Sequence, residues 1–229
     1  LKLKEALLIT RNVKMKKRLK NVIFLLLLLK MCFIFGQETM YQKCIVIDVG
    51  HGGKDPGAFG INGIQEKDVV LNIGKEVIKQ NRAMFNNTFE IYLTRYTDTL
   101  ISLNDRTKLA KALNPDLFIS LHSNHSNSPN ARGIEVYVVK NGEGYSKQSV
   151  LLGYIIQEEL KIIGLESRGI KFSNFFVIRK TSPHCPAILI ESGFITNPDE
   201  GSYLSLPSNI RTIAVAILKG IIDYSNMEL

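Results

Sequence analysis

From residue 43 onward, short apolar runs alternate with stretches whose apolar residues recur at helical spacing, and this alternation most limits what the chain can fold into. Residues 44–49, 90–94, 116–121, 133–139, 175–178 and 187–190 read as strands, whereas 67–85, 102–113, 146–163 and 209–224 read as helices. In the first helix Val69, Val70, Ile73, Val77 and Ile78 share one face. Ser102, with Asp105 three residues on, comes close to a capping box for the second. Strands joined by crossovers of this length run parallel, and a parallel sheet needs both faces covered. The expectation is an α/β fold: one domain over residues 43–229, with a mostly parallel twisted sheet and helices on both faces. No repeat or low-complexity tract interrupts it, and its length supports one well-buried core.

The net charge of +8 is concentrated at one end. Residues 1–36 hold nine Lys or Arg and one acid, Glu5, while the other 193 residues carry 20 bases and 20 acids. The domain is therefore neutral, which argues against nucleic acid as a partner. Residues 1–36 read as a leader. Lys16, Lys17, Arg18 and Lys20 after Met15 form a basic region, residues 22–29 an apolar region, and Gly36-Gln37 a cleavage point. Met15 is the expected start of a signal peptide, so export to the periplasm or cell envelope follows. Lys30 ends the apolar run after eight residues, short of the roughly 18 that a spanning helix needs, so no stable membrane span is expected after cleavage. Cys32 lacks the small residues that precede a lipidated cysteine. The remaining Cys44 and Cys185 form no Cys-x-x-Cys pair and read as small buried hydrophobes, although a disulfide between them stays open.

Several chemistry-bearing residues sit at the edges of these elements. His51 follows the strand 44–49 and opens a loop, residues 50–63, with six glycines. The loop meets neither the P-loop pattern nor the dinucleotide-binding pattern. Glu66 starts the next helix, where it is either a ligand or a solvated acid stabilised by the helix dipole. His122 ends the strand 116–121, and an imidazole there is hydrogen-bonded or liganded. His125, in the polar loop beyond, is a weaker rival. Glu191 ends the run Pro186-Ala187-Ile188-Leu189-Ile190, where a carboxylate is costly unless paired or hydrogen-bonded. Glu135 is either a partner for a ligand histidine or a solvent-facing residue of an alternating strand. Open α/β sheets bind ligands beyond the carboxyl ends of their strands, so these residues can converge. Two histidines and one glutamate are a catalytic zinc set with one position left open. A further carboxylate can then serve as general base and acid.

Residues 45–58, Ile-Val-Ile-Asp-Val-Gly-His-Gly-Gly-Lys-Asp-Pro-Gly-Ala, resemble the signature of the zinc-dependent N-acetylmuramoyl-L-alanine amidases, the amidase-3 family of cell-wall hydrolases. Matching segments follow in order at residues 66–71, 93–95, 103–106, 116–124, 133–137, 176–179 and 190–197, so the likeness covers about residues 43–224. The resemblance implies one Zn2+ held by His51, Glu66 and His122, with Glu191 as the catalytic carboxylate. Arg179 would then steady the substrate or its developing oxyanion. The implied substrate is peptidoglycan, cut between the muramic acid lactyl group and L-alanine. The rivals are a zinc peptidase acting on the stem peptide and an inactive wall-binding protein. Val49 stands where the family often has Pro. Some members carry a long helical insertion over the site; here a short segment joins the strand 133–139 to the next helix, which implies an open groove. No recruiting protein can be named.

Overall fold

The computed structural model describes residues 2–35, 42–140 and 144–227. The chain divides into two compact units, Leu1–Tyr41 and Gln42–Leu229. In the first, α1 is one continuous helix, Lys2–Phe35, whose residues 14–30 are exposed on every face. The Gly36-Gln37 cleavage point lies outside the described residues. Among those described, no single helix is long and apolar enough to cross a membrane.

Among its described residues the second unit carries six strands: β1 (Cys44–Val49), β2 (Glu90–Leu93), β3 (Leu117–Asn124), β4 (Ile134–Val138), β5 (Ser167–Phe172) and β6 (Ala187–Phe194). They form one sheet in the order β2-β1-β3-β6-β4-β5. Every pairing is parallel except β4 with β6, which is antiparallel. Six helices accompany the sheet: α2 (Glu66–Met84), α3 (Leu103–Leu113), α4 (Ser146–Ile162), α5 (Phe176–Thr181), α6 (Pro198–Leu204) and α7 (Pro207–Ser225).

Strand alternation divides the core in two, because successive side chains point to opposite faces. Ile45, Ile47, Val49, Leu117, Ile119, Leu121, Ile188 and Ile190 pack in one cluster with residues of α2, α4 and α7. Val46, Phe118, Ala187 and Leu189 pack in a smaller one with Ala110 of α3 and Val177 and Ile178 of α5. Both faces are thus covered, as the run of uninterrupted apolar strands requires. His122 and Glu191 fall on the α3/α5 face, whereas Glu66 comes from α2, which packs on the other. His122 lies two steps beyond Ser120 and four beyond Phe118, and Glu191 two beyond Leu189, so each shares its face with them.

Three elements differ from the sequence reading. Residues 175–178 form the start of α5, not a strand. Val177, Ile178 and Thr181 are the buried ones, a spacing of one and four residues that fits a helix laid on the sheet and not a strand within it. The strand in this region is β5, Ser-Arg-Gly-Ile-Lys-Phe, an edge strand with no fully buried side chain and therefore no apolar alternation to read. Helix α6 was not expected, although its signal is present: Asn197 accepts from the N–H groups of Asp199 (3.0 Å) and Glu200 (3.1 Å), and Pro198 takes the first turn. The capping of α3 is as anticipated, with the Asp105 N–H donating to Ser102 Oγ at 3.2 Å.

Cys44 and Cys185 are both free. Cys44 opens β1, whereas Cys185 lies in the turn before β6, and no disulfide joins them. Burial pushes the Cys185 thiol up to about 12, so it behaves as an inert apolar side chain.

Phe118 is fully buried in the thinner α3/α5 layer. Phe118→Ala is expected to cost about 3–5 kcal/mol, read as a lower urea midpoint. A loss below about 1 kcal/mol would contradict this packing of the layer.

Candidate metal centre

β1 delivers His51 two residues past its carboxyl end, after Gly50. His51 has φ +57, the left-handed region. A Cβ on Gly50 would stand 2.5 Å from His122 Cε1, so only glycine lets the two imidazoles lie side by side. Their ring centroids are 5.0 Å apart at 80°. Gly57, φ +66, serves the same purpose for the third member: a Cβ there would lie 2.5 Å from Glu66 Oε2.

Glu66 is the first residue of α2 and is buried, not the solvated helix-end acid that its position alone allows. His51 Nε2 lies 3.0 Å from Glu66 Oε2, and His122 Nδ1 lies 2.8 Å from Glu66 Oε1. The backbone N–H of Ala58 donates to Oε2 at 2.9 Å and that of Ser123 to Oε1 at 3.0 Å. Burial raises the Glu66 carboxyl, but His122 and His51 outweigh it and hold the group well below the usual carboxylate range. Burial lowers His51, and the Glu66 and Asp55 carboxylates overcome that, so its pKa is raised.

His51, Glu66 and His122 offer one ligand atom each, all within 4.8 Å of one another. Two imidazole nitrogens and one carboxylate oxygen suit Zn2+ with a fourth position open. Asp55 lies 2.9 Å from His51 Nδ1. An Nδ1–H bonded to that carboxylate leaves Nε2 as the free donor to a metal. Sequence reading quoted Asp55 within a motif without a role, although its i, i+4 spacing from His51 was available.

His122 sits inside β3 and Glu191 inside β6, both strands running further than their apolar residues indicate, and the two residues are direct cross-strand partners. On the other side Glu191 is paired in register with Glu135. Glu191 Oε2 is buried and, among the described residues, has no hydrogen-bond partner. Burial pushes the carboxyl up to about 7; Glu66 and Glu135 add to the rise, and His122 and His51 oppose it.

Glu135 fits neither reading given to it above. It is buried and takes bonds from Arg168 Nε (2.6 Å), Lys171 Nζ (2.5 Å), Tyr137 Oη (2.7 Å) and Asn124 Nδ2 (3.0 Å). Two of those donors come from β5, the strand without an apolar signature. His125 is exposed and outside the ligand group. Arg179 is exposed on α5, with its guanidinium 5.7 Å from the Phe176 ring centroid, and among the described residues no hydrogen bond ties it to the ligand group. The Val49 N–H donates to Thr94 Oγ1 at 3.0 Å, a bond that a proline there could not make.

An α/β domain that gathers such a donor set near the strand ends, beside a glutamate with one buried, unpartnered oxygen among the described residues, has the construction of a metal-dependent hydrolase. More narrowly, the chain belongs to the N-acetylmuramoyl-L-alanine amidase family, whose match covers residues 45–223. It is 37% identical over 192 residues to the endolysin of Bacillus phage SPP1, covering 82% of this chain and 68% of that protein. It is 32% identical over 225 residues to the N-acetylmuramoyl-L-alanine amidase AmiA of Escherichia coli, covering 80% and 76%. Its fold superposes on the N-acetylmuramoyl-L-alanine amidase AmiC2 of Nostoc punctiforme with a TM-score of 0.72 and 34% identity, over 81% of this chain and 98% of that one.

The His51–Glu66 contact makes the stability of the metal-free domain depend on pH. A raised His51 pKa adds stability below its ordinary 6.5, lost as pH rises through the raised value. A depressed Glu66 pKa adds stability above its ordinary 4.5, lost as pH falls through the lowered value. In the presence of a chelator, the melting temperature is expected to fall from pH 6 to pH 9, with that slope flattened in Glu66→Gln. Equal slopes in both proteins would show that the contact is not the source.

Proposed function

We propose that this domain is a zinc-dependent peptidoglycan amidase, cleaving the amide between the lactyl group of N-acetylmuramic acid and L-alanine. Family membership and the relatives support the reaction class. The observation that carries the mechanism is the pairing of Glu191 with His122: a carboxylate whose buried Oε2 has no hydrogen-bond partner among the described residues stands directly across from one member of the donor set. His51, Glu66 and His122 would hold one Zn2+, which when bound supplies Lewis-acid polarisation of the amide carbonyl and acidifies the attacking water.

The remaining chemistry belongs to the chain's own residues. Glu191 accepts the proton of the attacking water and delivers it to the departing amine of L-alanine. A carboxyl raised to about 7 suits both duties, since a group that must take and then give a proton works best near the operating pH. Asp55 fixes the tautomer of His51. Arg179 is an exposed substrate contact in this reading. In the sequence only seven residues lie between β4 and α4, fewer than the long insertion some family members carry, which supports an open groove. Peptidoglycan as substrate and the basic and apolar composition of the N-terminal segment support export to the cell envelope, with residues 1–36 as leader.

Purified peptidoglycan treated with the domain is expected to yield free lactyl carboxylates and intact peptides beginning with L-alanine, identified by mass spectrometry. Cuts within the peptide would support a peptidase instead, and no release with zinc bound would support a wall-binding protein. Glu191→Gln should retain zinc and lose about 10²–10⁴-fold in kcat. In the active protein kcat/KM should fall toward acid pH, as the Glu191 carboxyl takes up a proton and can no longer serve as base. His51→Ala should lose the metal outright; unchanged zinc content by atomic absorption would remove His51 from the ligand set.

A further inference from the structure

Two buried guanidiniums lie behind His51, and the chemistry above uses neither. Arg106, from α3, has a counter-charge: its Nη1 pairs with Asp48 Oδ1 at 2.8 Å. It also donates to the carbonyls of Val49 and of His51, the latter at 2.6 Å. Arg95 is different. Its residue is only 3% exposed, and among the described residues no carboxylate pairs with it. Asp98, Asp68 and Asp48 act on it only through longer-range attraction, and a buried cation with no carboxylate in contact is expensive and calls for an explanation.

All four hydrogen bonds of the Arg95 side chain go to backbone carbonyls: Nε to Val49 (3.2 Å), Nη2 to Gly50 (2.8 Å) and to Lys67 (2.7 Å), and Nη1 to Thr97 (3.2 Å). Val49 and Gly50 immediately precede His51, and Lys67 immediately follows Glu66. One nitrogen therefore bridges the segment carrying His51 to the segment carrying Glu66. The same turn reaches the third ligand strand, since the Gly50 N–H donates to the carbonyl of Leu121, next to His122, at 3.1 Å. At Gly52, φ +125, a Cβ would lie 2.3 Å from the Thr99 carbonyl oxygen and 3.0 Å from Arg95 Cδ and Nε, so the turn also passes close to this side chain.

We propose that Arg95 is a positioning residue that sets the spacing of the metal ligands by locking the His51 turn to the first turn of α2. The rigid planar fork of a guanidinium holds several carbonyls in fixed relative directions, which a lysine ammonium on its flexible stem cannot reproduce. The proposal rests on the reading that His51, Glu66 and His122 hold zinc, and its test separates the two. Zinc affinity is measured by chelator competition, and site geometry by the absorption spectrum of the Co2+-substituted protein, for the unmodified domain, Arg95→Lys and Arg95→Met. Both variants should bind zinc about 10–100-fold more weakly, as loss of groups supporting metal ligands does, with a changed Co2+ spectrum. A role limited to packing would lower the unfolding midpoint of the metal-free domain and leave zinc affinity intact. Arg95→Lys keeps the charge and most of the bulk, so it carries the test even if Arg95→Met does not fold; unchanged affinity in Arg95→Lys overturns the proposal. An unmodified domain that binds no zinc would instead remove the metal-centre reading itself.

Discussion

The Glu66 carboxylate is the point on which the site is built. Burying a charged carboxylate is tolerable only with full hydrogen bonding, and Glu66 obtains it from four directions: His51, His122, and the backbone N–H groups of Ala58 and Ser123. Those partners belong to the loop after β1 and to β3, while Glu66 itself opens α2. One side chain therefore ties together three segments distant in sequence. The glycines at 50 and 57 follow from it, because a Cβ at either would occupy the volume where these groups meet.

Two glutamates in one site have opposite electrostatic fates. Glu66 is surrounded by donors and is held as a carboxylate far below its usual range. Glu191 is half-buried, but its Oε2 is buried and, among the described residues, receives no donor, so burial dominates and raises it to about 7. Environment thus divides the duties, with the stabilised anion fitted to hold a cation and the destabilised one to exchange a proton. Glu135 adds to this division. Its own charge is neutralised by Arg168 and Lys171, and the ladder fixes it beside Glu191 without giving Glu191 a hydrogen bond.

Legibility of the fold followed burial. β1, β3 and β6 lie inside the sheet, and helices α2, α4 and α7 present continuous apolar faces, so all were readable from residue pattern. β5 was not, since an edge strand holds its place through pairing with β4 and buries little of its own. Phe175 to Ile178 misled because Phe, Val and Ile favour strands, and packing against the α3/α5 layer outweighed that preference. The candidate ligands were visible as residue types at strand ends. Asp55 stands only four residues from His51, within reach of local pattern, whereas the Glu135 cluster and Arg95 depend on contacts spanning up to 46 residues and left little trace there.

By itself the sequence determined the alternation of strand and helix, the neutral domain behind a basic leader-like segment, and the four residues His51, Glu66, His122 and Glu191 as candidates. These are properties of composition and short-range periodicity, which a chain carries before it folds. Only the tertiary structure decided that Glu66 faces inward between two imidazoles, that Glu191 stands across from His122 with an oxygen unpaired, and that a buried arginine joins the ligand-bearing segments. Each of these depends on distances between parts of the chain that only the packed sheet brings together.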